Sequence, residues 1–420
     1  MSESLYSVNC PSAFLPARCG QTWLARLQCC HWLLLAYPVF LHLVSRPRSA
    51  DEALVVDESA KYQVAVTAVY GVYVALLVVR CPLSWIGSLF RRPLLWWTLY
   101  LVLALISGLW SVQPLLTVFR SGQAVIFFIL IVHAMRCLDS YEDWIRLQLL
   151  FGMILILCAT YTFGRQVYPI EGLSVKSLHG WGFPHCLVGV LFVSLPLRDQ
   201  SWKISLYIIL AVLVVSTAAK AYIAFAIGVW FFIYSSSFSG RNTFLWAVSF
   251  VLLILLLFFP QEALRLFFPG KEMHTILTGH GRLPVWETMA EEFVIHRPIY
   301  GYGFGLGDKL SYISEGLSFR ISHTHNIVLA AVMNLGAVGG VLIVLFCLDV
   351  ALTGWRCPDQ RWRACSIAGL IAIIFATLFT TSISSNVSST WLSHAMIFIG
   401  IASHRLFQSQ TGRPVPFAEP

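Results

Sequence analysis

Long apolar runs separated by short polar stretches constrain this chain more than any motif does. They fall near residues 28–45, 63–80, 94–111, 115–135, 147–163, 183–197, 204–219, 220–236, 243–259, 326–348, 364–383 and 391–408. Most approach the ~20 residues that carry a helix across a hydrocarbon core. Backbone polar groups find no partner in lipid, so such runs must be helical. Composition agrees: 58% of residues are hydrophobic and 11% charged, against roughly 25% charged in soluble domains. The expected fold is all-α and polytopic, with about twelve transmembrane helices forming one membrane domain. Residues 1–259 carry spans one to nine, 260–325 form a long polar connector with amphipathic helices, and 326–420 carry spans ten to twelve. The first run is not a cleavable signal, because residues 1–26 are polar and mixed and the run that follows can span. Spans seven and eight run together around Lys220, as two helices meeting at a tight break would.

Basic residues give the orientation. With the N-terminus inside, Arg80, Arg91, Arg92, Arg136, Arg146, Arg361 and Arg363 all fall in inner segments, and the short outer loops are poorer in Lys and Arg. The net charge of +8 is mostly this inner arginine, so it calls for no nucleic-acid partner. The cysteines fit the same orientation. Cys10, Cys19, Cys81, Cys137 and Cys357 fall in inner segments, only Cys186 lies near the outer face, and 260–325 has none. Reduced thiols inside and no outer disulfide framework are expected, and no CxxC or Cys/His zinc motif is present.

Histidines lean the other way: His42, His179, His185, His274, His280, His296, His323, His325 and His394 fall at the outer face. His325-Asn326 opens the tenth span, and nine residues further on comes Gly336-x-x-Gly339. A titratable group at a membrane helix mouth is a functional candidate. The helix dipole disfavours imidazolium there and keeps a base neutral. Ser322 or Thr324 is placed to cap the helix. On an ideal helix Gly336 lies almost under His325 and Gly339 returns to that face, giving a narrow groove for another helix or a lipid.

The connector carries Thr278-Gly279-His280-Gly281-Arg282 and then a helical pattern, with Trp286, Met289 and Phe293 on one side and Glu287 and Glu291 on another. This pattern predicts an amphipathic helix lying in the interface. Arg282 stands at its start, where backbone N–H groups also face outward, a combination that suits phosphate; a solvated loop arginine has the same spacing. Pro298 stops the helix. Gly301 to Gly305 reads as a tight turn rather than a nucleotide loop, because no strand precedes it. Lys220 interrupts an apolar run, and Arg120 lies early in the fourth span. For each, snorkelling and anion binding are both open. His179 and His185 flank a Gly- and aromatic-rich entry to the sixth span. No fixed spacing makes metal ligands of these histidines.

Taken together, these residues resemble the O-antigen ligase and polysaccharide polymerase superfamily. His325, Asn326, Gly336 and Gly339 fill its His-Asn, nine residues, Gly-x-x-Gly pattern. Thr278 to Trp286 resembles its Ser/Thr-Gly-Arg-x-x-x-Trp stretch, with His280-Gly281 inserted before Arg282. Pro298 to Gly303 resembles Pro-x-x-Gly-x-Gly, and Trp110-Ser111 with Pro114 and then Arg120 resembles an early Trp-Ser-x-x-Pro segment. Phe183-Pro184-His185 matches a mid-chain helix entry, and Lys220 follows Ala219 where the family has serine. The resemblance implies a GT-C-like glycosyltransferase without metal or cofactor, in the bacterial inner membrane and facing the periplasm. The implied donor is a glycan on undecaprenyl pyrophosphate, and the acceptor is a lipid A–core sugar or a lipid-linked repeat unit. His325 would be the base. Arg282, Lys220 and Arg120 would hold the pyrophosphate, and Asn326, His323 and His185 would line the substrate site. A lipid-glycan transporter is the alternative of another class; such carriers show internal repeats and midplane sites, whereas the polar residues here collect at one face.

Overall fold

The computed structural model describes residues 24, 27–44, 58–80, 83–138, 140–166, 184–197, 200–215, 219–236, 244, 248–249, 282–306, 326–378 and 387–411. The described residues are helical and contain no strand. The helices are α1 (Cys29–Val44), α2 (Glu58–Arg80), α3 (Leu83–Leu89), α4 (Leu94–Ile106), α5 (Pro114–Arg136), α6 (Tyr141–Gln166), α7 (Pro184–Ser194), α8 (Gln200–Val215), α9 (Ala219–Ser235), α10 (Arg282–Met289), α11 (Ile327–Trp355), α12 (Gln360–Thr377) and α13 (Ser389–Thr411). Eleven of the twelve expected runs coincide with one of these helices, and the ninth, 243–259, lies almost wholly outside the described residues. Four segments are long and apolar enough to cross a membrane: Ala60–Arg80, Pro114–Arg136, Tyr141–Thr160 and Ile327–Trp355. Five shorter apolar helices accompany them. The chain is a helical, multi-pass membrane protein.

Local chemistry starts the helices where the sequence punctuates them. Pro114 opens α5 and Pro184 opens α7, where the missing N–H costs nothing. Ser140 receives the Asp143 amide at 3.2 Å before α6, and Asp359 receives the Trp362 amide at 3.0 Å before α12. Beside Lys220, α8 is described to Val215 and α9 from Ala219, and the expected break at 216–218 lies outside the described residues.

The core is aromatic. Trp97 stacks on Tyr100 and meets Phe346 and Trp391, and Phe346 stacks on Phe398, which joins α4, α11 and α13. Close backbone approaches join α7 to α12, where a Cβ on Gly369 would lie 3.2 Å from the Gly189 carbonyl. His394, expected at the outer face, is fully buried on α13 inside the bundle, with Nε2 3.6 Å from Cys186 Sγ near the start of α7.

Three contacts define one end of the bundle. Arg361 donates to the Leu195 carbonyl at 3.3 Å, Tyr234 lies 6.2 Å from Trp355 ring to ring, and Trp96 Nε1 donates to Asp349 at 2.9 Å. The C-terminal ends of α7, α9 and α11 and the start of α4 therefore share this face. The starts of α5, α7, α9 and α11 lie toward the other.

Candidate functional site

The tenth span is not one straight helix. Within α11, Gly336 has φ 69° and ψ −169°, a kink between two helical halves. Side-chain-bearing residues essentially never occupy this region. The break frees backbone groups that a straight helix would pair internally. The loop that follows α10 takes them up. Tyr302 N donates to Met333 O at 3.0 Å, Gly303 N to Asn334 O at 2.9 Å, and Ala337 N to Pro298 O at 2.7 Å. A Cβ on Gly336 would overlap the Ile299 carbonyl. One on Gly339 would lie 2.9 Å from the Ala331 carbonyl, eight residues back along the bent chain. This corrects the expected groove. Straight-helix geometry does not extend past Gly336, and the space beside it is filled by the chain's own loop rather than by a second helix or a lipid. Gly336 supplies the turn, and Gly339 leaves room for the bend.

The same loop is locked to the α4–α5 turn. Trp110 Nε1 donates to Tyr300 O at 2.9 Å, Arg297 Nη1 donates to Trp110 O at 3.4 Å, and Phe304 N donates to Ser107 Oγ at 3.1 Å. Ser111 and Thr117 share a 2.7 Å hydrogen bond, and a Cβ on Gly303 would lie 2.5 Å from Ser111 Oγ. Gly301, Gly303 and Gly305 all have positive φ, as the tight-turn reading requires. Three stretches far apart in sequence, 110–114, 298–303 and 336–339, thus meet at one junction. Spacing alone did not single out Arg297. Its guanidinium sits 4.9 Å over the Tyr302 ring and joins the turn to the loop. A cation directly before Pro298 was the available signal.

Asn326 caps α11. It is extended, and its Oδ1 accepts from Val328 N at 3.0 Å and Leu329 N at 2.9 Å. The cap is therefore Asn326 rather than Ser322 or Thr324. Asn forms this cap well because its short amide reaches the second and third N–H groups. His323 and His325 lie outside the described residues.

Arg282 is the first residue of α10 and half-buried; burial alone pushes its pKa below the ordinary arginine range. Among the described residues no hydrogen bond or ion pair engages it. The helix continues from α10 through a π-helical turn, Ala290–Val294. Met289 and Phe293 pack on Met333 of α11, with Leu329 and Tyr302 around them, while Glu287 and Glu291 are exposed. The expected amphipathic face is present, but it packs against α11. Arg282 and Asn326 each stand seven residues, about 10 Å of helix, from this shared cluster.

Arg120 lies on α5, its Nη1 3.4 Å from Gln123 Oε1 and its guanidinium 5.4 Å from the Phe119 ring. Gln123 in turn donates to Tyr37 at 2.8 Å and Thr67 at 3.2 Å. A buried polar chain thus fixes Arg120 against α1 and α2. His185 is the second residue of α7 and Lys220 the second of α9; nothing further is described of either side chain. Arg120, His185, Lys220 and Asn326 therefore all lie on the α5, α7, α9 and α11 ends directed to the same face. Helix N-termini carry partial positive charge, so this end of the bundle favours an anion before any side chain is counted.

Residues 204–344 match the family model described as O-antigen ligase. The match holds Lys220, Arg282, His325, Asn326, Gly336 and Gly339, and it supports the O-antigen ligase and polymerase family for this chain. No curated protein matches the chain.

Proposed function

Taking the O-antigen ligase match over residues 204–344 as premise, we propose that the chain transfers a glycan from undecaprenyl pyrophosphate to a lipid A–core sugar hydroxyl. The observation that carries this reading is the gathering of Arg120, His185, Lys220 and Asn326 on helix starts that share one face, with Arg282 on a helix packed against α11.

In this mechanism Arg282, Lys220 and Arg120 hold the pyrophosphate. Guanidinium groups suit it because they offer forked, permanently charged donors. His325, neutral beside a helix start, takes the proton from the acceptor hydroxyl. The hydroxyl oxygen bonds to the anomeric carbon from the face opposite the leaving group, so the carbon inverts. The bond to the phosphate oxygen breaks, and its electron pair stays on the lipid pyrophosphate, stabilised by the same cations. Asn326 holds the helix start that follows His325, and His323 and His185 are assigned to binding the substrate. Neither a metal nor a nucleotide sugar enters this sequence.

The reading places the protein in the bacterial inner membrane with about twelve spans in a GT-C-like arrangement and the site open to the periplasm. Deletion in the source bacterium tests it. Uncapped core with accumulated long lipid-linked glycan supports the ligase. Core bearing a single repeat unit makes it the polymerase, with a lipid-linked repeat unit as acceptor. Unchanged lipopolysaccharide, exopolysaccharide and lipid-linked glycan sinks both. Clear lipid-glycan movement across vesicles without transfer would mean a transporter.

A further inference from the structure

A second cluster of chemically active side chains lies at the opposite end of the bundle, where the first turn of α1 meets the last turn of α5. Cys30 Sγ, a His133 ring nitrogen and Cys137 Sγ all fall within 4.8 Å of one another. Cys137 Sγ stands 3.4 Å from His133 Nε2. In a tetrahedral zinc site, with Zn–S near 2.3 Å and Zn–N near 2.0–2.1 Å, neighbouring sulfur and nitrogen ligands sit about 3.5 Å apart and two sulfurs about 3.8 Å apart. The Cys137–His133 separation has that size before any ion is placed, and Cys30 Sγ lies within 4.8 Å of both ligand atoms.

The backbone explains why the three converge. His133 and Cys137 are four residues apart at the end of α5, so they share one helix face. Cys30 is brought to them by its neighbour. His31 Nε2 lies 2.9 Å from the Ala134 carbonyl, and its Nδ1 accepts from Gln28 N at 2.9 Å. Both His31 nitrogens are thus committed, which fixes the Nε2–H tautomer and leaves His31 as a tether between α1 and α5. Cys30 and Cys137 are both free thiols rather than a disulfide.

We propose that Cys30, His133 and Cys137 bind a zinc ion that fastens the start of α1 to the end of α5. The donor set is two thiolates and one imidazole, soft and borderline ligands that select zinc over magnesium or calcium. Binding displaces the two thiol protons to solvent. Three protein ligands leave a fourth position, which a water or the exposed Cys29 next in the chain completes. The site lies 17 residues, about 25 Å of helix, from Arg120, so it takes no part in the glycan transfer. Ligand spacing concealed it from the sequence: a Cys-His pair in one helix and Cys30 over a hundred positions away match no short zinc pattern.

The test uses the full-length protein, purified in detergent with reductant and without chelator. Elemental analysis should find about one zinc per chain. Cys137→Ser and His133→Ala should each lose most of it, while Cys357→Ser should keep it. Cobalt(II) added to the metal-stripped wild-type protein should produce thiolate-to-cobalt charge-transfer absorption, and zinc should slow maleimide labelling of Cys137. These two wild-type measurements decide the matter even if the variants fail to fold. Zinc-free wild-type protein that gives neither the cobalt band nor zinc protection would overturn the site. So would a Cys30–Cys137 disulfide in protein isolated without reductant.

Discussion

Gly336→Ala is the sharpest perturbation available, because the structure says where its cost falls. Alanine at φ 69° and ψ −169° enters a backbone region that costs about 1–3 kcal/mol. Its Cβ would also overlap the Ile299 carbonyl, which is backbone and cannot rotate away. A penalty of about 3 kcal/mol follows, close to a 150-fold shift toward an open junction. The three backbone hydrogen bonds that close the junction contribute about 1 kcal/mol each, so the penalty roughly cancels them. The loop should detach from α11 while the rest of the bundle stays folded. Hydrogen exchange followed by mass spectrometry reads this directly. The Tyr302, Gly303 and Ala337 amides should exchange about 100-fold faster than in the wild type, with the aromatic core of α4, α11 and α13 unchanged. Transfer activity should fall with them. Gly354→Ala is the control, since its Cβ meets only side chains at 3.4 Å or beyond. Wild-type protection and activity in Gly336→Ala would refute the reasoning.

Four further outcomes are expected. His325→Ala should abolish transfer with normal membrane levels of protein; substantial residual turnover would remove it as the base. Arg282→Ala should weaken use of the lipid-linked donor, Arg282→Lys should restore it only in part, and wild-type kinetics in both would end the pyrophosphate role. Asn326→Ala should cost the helix start about 1 kcal/mol while Asn326→Asp keeps most of the cap, which exchange at the Val328 and Leu329 amides would report. Trp110→Phe should keep an aromatic ring but lose the bond to Tyr300 O, loosening the 298–303 segment without altering donor affinity; a large rise in KM would count against this.

The helices and their order were legible because lipid leaves the backbone few choices. The separate functional stretches were legible because their residue types are unusual in apolar surroundings: Trp-Ser before Pro114, glycines after Pro298, and Asn326 before an apolar run. Their meeting point was not legible. An ideal helix put Gly336 and Gly339 on one open face, and only the positive φ at Gly336 reveals a bend closed by the chain itself. The cap was misread for a related reason. Ser, Thr and Asn all cap well, so composition could not decide between Ser322, Thr324 and Asn326. Arg297 was hidden by its neighbours, since an arginine beside a proline in a polar connector looks solvated until Trp110 arrives from 187 positions away.

The bend in α11 divides its labour. Residues 337–355 alone measure about 28 Å, close to a hydrocarbon core, so Ile327 to Leu335 is surplus to crossing. That surplus is a cantilever about 13 Å long, rooted at Gly336 and carrying Asn326 at its tip. Among the described residues of the connector, it is braced by the packing of Met289 and Phe293 on Met333 and by the Tyr302 and Gly303 amides on the Met333 and Asn334 carbonyls. The described part of the connector thus grips this lever near its root, about 10 Å of helix from Asn326. Trimming a methionine in α10 would swing the end that carries Asn326, and drift in the sequence of α10 can shift that end while every charged side chain stays in place.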